Sequence, residues 1–177
     1  MSLQTRPVQS SSELIDHLEH VSGQLSLTDF DVLLIADGSG TVSTEPAGWA
    51  CTVYDRRKQE VLIHTGGWSV GTNNLAELVP FVHALWHLNQ GERELVAKPV
   101  VVQIVSDSEL TVRCGSGQYE RRANGCYWAA IQWFEEHDYQ LHWLHVRRNS
   151  NLWNEWMDAI AASARQAMAA VWPSLST

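Results

Sequence analysis

The chain contains the apolar run Val32-Leu33-Leu34-Ile35-Ala36, followed at once by Asp37-Gly38-Ser39-Gly40. A continuous apolar run of this length is typical of a strand buried on both faces of a sheet, and the glycines after it end the strand. Asp37 therefore stands at the carboxyl end of a buried strand, where a charged carboxylate is costly unless it is paired, hydrogen-bonded or bound to a cation. This stretch predicts the centre of a sheet and a first candidate for a functional side chain.

Strand and helix patterns on the carboxyl side of this stretch predict an α/β fold. Segments 48–54 and 61–65 are joined by the polar turn 55–59, so the first three strands are expected to form an antiparallel meander. Helical patterns then alternate with strands at 100–105 and 141–146, which predicts a mixed five-stranded sheet flanked by helices in three layers. Pro80 interrupts the helical pattern that follows Thr72, so we expect that helix to start late or to bend there.

The domain organisation is predicted as an N-terminal extension over residues 1–30, a main domain over 31–172 and a short tail over 173–177. The extension carries one short helix, about residues 12–22, with an apolar face, and it is expected to end at Gly23. That face could pack on the main domain, act as a lid, or contact a second copy of the chain as a homodimer. The sequence leaves these alternatives open.

Composition limits the classes of function. The 177 residues include 20 acidic and 12 basic side chains, for a net charge of −8, which disfavours tight nucleic-acid binding because phosphates are neutralised by Lys and Arg. No apolar run approaches the roughly 20 residues of a membrane span. The three cysteines lack a C-x-x-C spacing and are typical of free thiols in a reducing compartment, so we expect a cytoplasmic protein. The eight histidines are not expected to hold zinc.

Three further carboxylates stand where acids are structurally uncomfortable. Glu77 lies one turn into an apolar helix, Asp107 follows the buried strand, and Asp158 lies within the last helix. Each one alone has an ordinary explanation as a turn former, a helix cap or a solvated residue. Together with Asp37 they would form an oxygen-rich site for hard divalent cations, of the kind used in two-metal phosphoryl hydrolysis. Spacing alone does not decide between these interpretations.

The order of four motifs resembles the type 1 ribonuclease H family, including its reverse-transcriptase-like relatives. The motifs are Asp37-Gly38-Ser39, Thr72-Asn73-Asn74-Leu75-Ala76-Glu77, Ser106-Asp107-Ser108 and Asn154-Glu155-x-x-Asp158. Gly48-Trp49-Ala50 also matches the second strand of that family. The resemblance covers roughly residues 31–170 and implies strand order 3-2-1-4-5. It also implies hydrolysis of the RNA strand of RNA–DNA hybrids with two Mg²⁺ ions, which Mn²⁺ can replace.

The resemblance further implies roles for individual residues. Asp37 would bridge both metal ions, Glu77 and Asp107 would join it around one ion, and Asp158 would help to hold the other. Amide and hydroxyl groups suit recognition of a hybrid, because they can bond both base edges and 2′-hydroxyls. The residues implied to contact substrate are Gly38, Ser39, Gly40, Thr72, Asn73, Asn74, Ser108 and Asn154.

Three departures from the family pattern keep alternatives open. The loop before the last helix, residues 146–151, has no histidine, so Arg148 or Asn149 is a candidate substitute, and His145 belongs to the preceding strand. The basic protrusion of some bacterial members is reduced to Arg121-Arg122. Glu109 stands where a substrate-contacting Gln often lies, which adds negative charge near phosphate. A nuclease for another nucleic acid and a non-catalytic binding or assembly module therefore remain alternatives.

Overall fold

The computed structural model describes residues 11–27, 29–91, 99–148 and 150–171. Residues 1–10 of the predicted extension, Asn149 and the predicted tail 173–177 lie outside the described residues. The elements are, in chain order, α1 (Ser11–Gln24), β1 (Val32–Ser39), β2 (Ala47–Asp55), β3 (Glu60–Trp68), α2 (Asn73–Gly91), β4 (Val100–Ser106), α3 (Glu109–Gly115), α4 (Gly125–Glu136), β5 (Tyr139–His145) and α5 (Leu152–Val171).

The five strands form one sheet in the order β3-β2-β1-β4-β5. The pairs β1–β2 and β2–β3 are antiparallel, and the pairs β1–β4 and β4–β5 are parallel. The predicted mixed sheet, its antiparallel meander and the strand order implied by the resemblance are therefore confirmed. β1 is the central strand. It pairs with β2 on its antiparallel side and with β4 on its parallel side.

Helices cover both faces of this sheet. Side chains of β1 alternate between two apolar clusters, with Leu34 packed among residues of α2 and α4, and Ile35 packed among residues of α1 and α5. The prediction that β1 is buried on both faces is confirmed, since its side chains from Val32 to Asp37 are almost wholly inaccessible. In the described part of the chain, every helix is too short or too polar to cross a bilayer.

The N-terminal helix α1 packs on its own sheet. Leu18 and Val21 are buried in the cluster shared with α5, so this face packs on the main domain, which is one of the three alternatives. The prediction that Gly23 ends the helix is wrong, because α1 continues to Gln24. The residue that adopts the left-handed backbone after it is Ser26, with φ of 56°.

A polar clamp fixes α1 to β2 and to the turn after it. Glu19 accepts hydrogen bonds from the hydroxyl of Tyr54 at 2.6 Å and from Nε and one terminal nitrogen of Arg56 at 2.9 and 2.8 Å. The guanidinium of Arg56 also lies 3.8 Å from the ring centre of Phe30. The helix is thus held both by apolar burial and by a charged contact at its edge.

Replacing Glu19 by Gln is expected to lower the free energy of unfolding by about 0.5–1 kcal/mol, which is typical of a partly exposed ion pair. The hydrogen bonds from Arg56 hold the pKa of Glu19 below its usual range, so the contribution is present at neutral pH and is lost as the pH falls through the folded pKa. Denaturant unfolding at neutral pH and in acid measures this. Asp16→Asn, a charge-matched change at an exposed position of α1, is the control. A loss that persists in acid would contradict the assignment.

Pro80 is tolerated in the interior of α2, as the eighth residue of a helix that begins at Asn73. Of the two expectations for this helix, a late start is therefore not observed, and a bend at Pro80 stays a prediction. Proline lacks the N–H that would bond the carbonyl of Ala76, four residues earlier. That carbonyl faces β1, since a Cβ placed on Gly38 would lie 2.8 Å from its oxygen. The close approach of β1 to the freed carbonyl is a local reason why proline fits here.

Candidate active site

Three of the four predicted carboxylates meet at one edge of the sheet. Asp37, Glu77 and Asp107 each offer an oxygen atom, and these atoms all lie within 4.8 Å of one another. β1 and β4 are parallel with Ile35 opposite Val105, so Asp37 and Asp107, each two residues further along, emerge side by side. Glu77 reaches them from the first turns of α2. We call these three residues the carboxylate triad.

Glycine brings α2 into contact with β1. A Cβ on Gly38 would lie 2.5 Å from the carbonyl carbon of Ala76 and 2.7 Å from the amide nitrogen of Glu77, closer than real side chains approach backbone. The N–H of Gly40 donates to Oδ1 of Asn73 at 3.1 Å. These contacts fix the start of α2 against the end of β1, and they place Glu77 beside Asp37.

Gly38→Ala is expected to lower the free energy of unfolding by about 1–3 kcal/mol, because the added methyl group meets rigid backbone. The same change moves Glu77 away from Asp37, so affinity for divalent metal falls as well. Denaturant unfolding and titration calorimetry with Mn²⁺ measure the two effects. Gly23→Ala is the control, since a Cβ there meets nothing within 4 Å, and it should stabilise α1 by about 0.5–1 kcal/mol. Wild-type stability and metal affinity in Gly38→Ala would contradict this account of the contact.

The triad carries more negative charge than its surroundings neutralise. Burial raises the pKa of Asp37 to about 7, and the charge of Asp107 adds to the shift. Burial raises the pKa of Glu77 to about 9, with Asp37 and Asp107 contributing. Oε2 of Glu77 is buried and has no hydrogen-bond partner among the described residues. Clustered oxygens with unmatched charge and an unsatisfied lone pair fit a bound hard cation.

Arg148 is the cation that the protein itself brings to this edge. Its Nε donates to Oδ2 of Asp107 at 3.1 Å, and a terminal nitrogen lies 3.9 Å from Oδ1 of Asp158. The triad does not include Asp158, whose side chain is about half exposed. The structure therefore brings Asp158 to the triad through Arg148. The sequence pointed to Arg148 as a substitute for the absent loop histidine, but it did not show this bridge.

A histidine lies next to the site, but it belongs to β5 and not to the loop before α5. His145 is the last residue of that strand, as predicted, and its Nε2 lies 3.2 Å from the backbone oxygen of Asp107. The ring therefore contacts the backbone that carries a triad residue. Asn149, the other candidate substitute, lies outside the described residues.

Several predicted substrate-contacting side chains are already engaged within the protein. The hydroxyl of Thr72 accepts the N–H of Leu75 at 3.2 Å and caps α2. The hydroxyl of Ser108 accepts the N–H of Thr111 at 3.4 Å and caps α3. Such caps satisfy backbone donors that a helix leaves unpaired at its first turn.

Three more of these residues surround the triad. Asn73 donates from Nδ2 to Oε1 of Glu77 at 3.4 Å, and its Oδ1 is used by the backbone, so both ends of this amide have partners. Ser39 is half-buried, whereas Asn74 is exposed. Asn74 lines a groove of about 230 Å³ together with Arg122 and Asn124. Asn74 is thus the amide of this segment that faces open space.

Asn154 is placed differently from its prediction. It was expected to contact substrate, but it is buried and its Oδ1 accepts a hydrogen bond from Asn151 at 2.5 Å. Asn151 in turn caps α5, because its Oδ1 accepts the N–H groups of Trp153 and Asn154 at 3.1 and 3.0 Å. Nδ2 of Asn154 is buried with no partner among the described residues. The cap was missed, although an Asn just before a helix is a visible signal.

Charged residues near α3 are mostly neutralised. Arg121 packs with its guanidinium 4.8 Å from the ring centre of Trp128 and donates to backbone carbonyls. Arg122 is largely exposed and pairs with a neighbouring acid. Glu109 was expected to repel phosphate, but Arg113 forms an ion pair with it at 2.5 Å. The repulsion is therefore smaller than the sequence indicated, and the accessible positive charge is small as well.

Comparisons with known proteins identify the fold. No family model matches the chain. A curated "Ribonuclease H" from Tropheryma whipplei strain Twist is 29% identical over 86 residues, which cover 49% of this chain and 46% of that protein. The ribonuclease H of strain TW08/27 matches equally. The chain thus spans about half the length of the curated relatives it matches.

Solved structures match a larger part of the chain. The N-terminal RNase H domain of a Mycobacterium tuberculosis protein superposes with a TM-score of 0.66 at 22% identity, covering 80% of this chain and 97% of that domain. LC11-RNase H1 in complex with an RNA/DNA hybrid superposes with a TM-score of 0.62 at 23% identity, and the match covers 77% of this chain and 97% of that protein chain. RNase H1 from the archaeon Halobacterium salinarum superposes with a TM-score of 0.55 at 20% identity, and the match covers 77% of this chain and 98% of that protein chain.

Both kinds of comparison agree with the order of motifs and with the sheet. The match to curated relatives is one of sequence, and the match to solved structures is one of architecture. The chain therefore has the ribonuclease H fold, and its resemblance to the type 1 ribonucleases H is confirmed.

Proposed function

We propose that this protein is a metal-dependent endoribonuclease that hydrolyses the RNA strand of RNA–DNA hybrids. The observation that carries the proposal is the carboxylate triad at the edge of a ribonuclease H fold, where burial and the neighbouring carboxylates raise the pKa values of Asp37 and Glu77. The curated ribonucleases H that the chain resembles, and the hybrid bound to one structural neighbour, support the choice of substrate.

The metal is proposed to be Mg²⁺, with Mn²⁺ able to replace it. Carboxylate oxygens are the ligands that Mg²⁺ prefers, and the unpaired Oε2 of Glu77 offers such a ligand. Asp37, Glu77 and Asp107 would hold one ion, while Asp37 and Asp158 would hold a second. When bound, two ions activate a water and stabilise the leaving oxygen in phosphodiester hydrolysis.

The chain's own side chains would orient the substrate and complete the charge balance. Arg148 lies between Asp107 and Asp158, and its guanidinium would bind a phosphate of the cleaved strand there. Asn74 faces an open groove, and its amide suits base edges and 2′-hydroxyls, which distinguish RNA from DNA. Asn73 would instead hold Glu77 and Gly40 in place.

The experiment compares four end-labelled substrates of one sequence: hybrid, duplex RNA, duplex DNA and single-stranded RNA. With Mg²⁺ or Mn²⁺, the full chain is expected to cut the RNA strand of the hybrid at internal positions and to leave the others largely intact. Chelation should abolish cleavage. Internal cutting without preference for the hybrid would overturn the proposed substrate.

A nuclease for another nucleic acid is the second candidate. The observation in its favour is the small accessible positive charge near α3, where Arg121 is held by backbone carbonyls and Arg122 is paired. The same four substrates distinguish the two candidates. A non-catalytic module is the third alternative, and it would show binding of hybrid with no cleavage and no affinity for Mn²⁺.

The cellular setting is proposed to be the cytoplasm. Cys51 and Cys114 are buried and Cys126 is exposed, and all three are free thiols. Free thiols persist in a reducing compartment. Loss of activity on oxidation of Cys126, with recovery on reduction, would agree with that setting.

A further inference from the structure

Three histidines form a cluster on the side of the sheet that α2 covers. His64 lies on β3, and His83 and His87 lie four residues apart on α2. The ring of His64 has its centre 5.2 Å from that of His83 and 4.7 Å from that of His87, with both pairs tilted by 58°. We call these residues the histidine cluster. Residues four apart on a helix share one face. His83 and His87 therefore lie side by side, and the ring of His64 on the strand below contacts both of them.

The central imidazole of this cluster has an unsatisfied atom. Nε2 of His64 is buried and has no hydrogen-bond partner among the described residues. Burial and the neighbouring imidazoles of His87 and His83 hold the pKa of His64 below its usual value. A neutral imidazole is the form of histidine that binds metal. A buried ring nitrogen without a partner is the kind of atom that a ligand would satisfy.

We propose that His64, His83 and His87 bind one divalent transition-metal ion of the zinc class, with water at the fourth position. Two imidazoles on one tetrahedral zinc, at Zn–N of about 2.1 Å, have ring centres roughly 5 Å apart, which matches the observed spacing. His83 and His87 are exposed, so an ion can enter from solvent. The sequence analysis did not expect zinc at the histidines, because it did not show that β3 brings His64 to His83 and His87.

Binding requires a small rearrangement of these rings. Among the described residues, the carboxylate triad is the group of three whose ligand atoms already lie within 4.8 Å of one another. The imidazole nitrogens of the histidine cluster must therefore turn toward a common point. His83 and His87 can do so by rotation about their side-chain bonds, because they face solvent. The ring of Trp49, 5.1 Å from that of His83, limits the rotation on one side.

The histidine cluster differs from the triad in place and in chemistry. His83 follows Glu77 by six residues of α2, a rise of roughly 9 Å along the helix. Imidazole nitrogens prefer zinc, copper or nickel, whereas carboxylates prefer magnesium and manganese. The two sites should therefore fill independently, and the inference does not rest on the proposed nuclease activity.

The test is calorimetric titration of the full chain with Zn²⁺, in buffer freed of transition metals and containing excess Mg²⁺. In the Asp107→Asn background, which weakens binding at the triad, we expect one equivalent of zinc to bind. His83→Gln and His87→Gln should each weaken this binding by more than the roughly 10–100-fold that loss of an outer-shell partner costs. His142→Gln, at an exposed position of β5, is the matched control and should bind as the parent does.

A second readout is the midpoint of thermal unfolding, which zinc should raise in the parent and in His142→Gln but not in the double variant His83→Gln, His87→Gln. Both substituted positions are exposed, so the double variant should keep its fold, and when made in the wild-type chain, with Asp107 present, it should also keep Mg²⁺-dependent cleavage. Absence of saturable zinc binding in the parent, or unchanged binding in the double variant, would overturn the inference. Failure of the nuclease assay alone would leave it intact.

Discussion

Asp37→Asn is expected to reduce metal-dependent cleavage of the RNA strand in a hybrid by on the order of 10³-fold or more. Asparagine preserves the shape of the side chain but removes the charge that Asp37 contributes between Glu77 and Asp107. It also replaces one carboxylate oxygen with an NH₂ group, which cannot bind a cation. Single-turnover cleavage of an end-labelled hybrid, at saturating protein and Mn²⁺, measures the loss in the chemical step.

The control for this variant is Asp16→Asn, which removes the same charge from an exposed position of α1 and should cleave at the parent rate. Thermal unfolding should show that Asp37→Asn is at least as stable as the parent in chelator, because a buried and unneutralised charge is gone. Hybrid affinity should stay within a few-fold. If Asp37→Asn kept more than a tenth of the parent rate, Asp37 would not be the bridging ligand.

Affinity of the triad for Mn²⁺ is expected to rise on the order of 10³-fold between about pH 6 and pH 8. The pKa of Asp37 is raised to about 7 and that of Glu77 to about 9. Each acid is neutral below its pKa, and a metal ion needs the charged carboxylate, so binding must displace protons. Calorimetric titration at several pH values, in buffers of different ionisation enthalpy, gives both the affinity and the number of protons released.

Glu77→Gln is the informative variant for this pH dependence. It removes the group that is protonated throughout this range, so affinity should fall, and its rise between pH 6 and pH 8 should shrink from on the order of 10³-fold to about tenfold. Glu136→Gln, at an exposed position of α4, is the matched control. An affinity for Mn²⁺ that does not change with pH in the parent would show that the triad does not hold the ion.

Stability without metal is expected to follow the opposite trend and to fall as the pH rises. Both acids have folded pKa values above the unfolded ones of 3.8 and 4.5. The folded state therefore binds more protons than the unfolded state from about pH 4 to pH 9, and stability declines across that window. Denaturant unfolding in chelator over this range measures the decline. Glu77→Gln should flatten the profile, and an excess of Mn²⁺ should raise the parent most at alkaline pH.

The carboxylate triad shows how much of a site local sequence can predict. Asp37 and Asp107 each follow a buried apolar strand, and strand ends in an α/β sheet are known positions for ligands. Their convergence was therefore predictable once the two strands were taken as parallel neighbours. Asp158 was predicted for the same site, but it reaches the triad through Arg148. The apolar pattern of a helix shows which side packs on the sheet. It does not show which turn of α5 lies beside the triad.

Helix ends show where local patterns fail. Gly23 and Pro80 are both strong signals for helix termination, and both lie inside helices here. The cost of each is outweighed by tertiary packing, since Leu18 and Val21 bury one side of α1 and the carbonyl freed by Pro80 lies against Gly38. A glycine or a proline in a helix interior costs about 1 to 3 kcal/mol. Tertiary contacts can outweigh that cost, and a sequence does not show them.

By itself, the sequence determined the sheet, the ends of its central strands and three acidic side chains that meet there, because apolar runs and glycines act locally. The sequence also places His83 and His87 four residues apart on one helix. Their proposed role in metal binding depends on His64, which β3 brings next to them. The raised pKa of Glu77, the bridge made by Arg148 and the histidine cluster were decided by the tertiary structure alone. Burial, desolvation and proximity across elements set these properties, and they exist only once β1, β3, α2 and the loop before α5 have packed together.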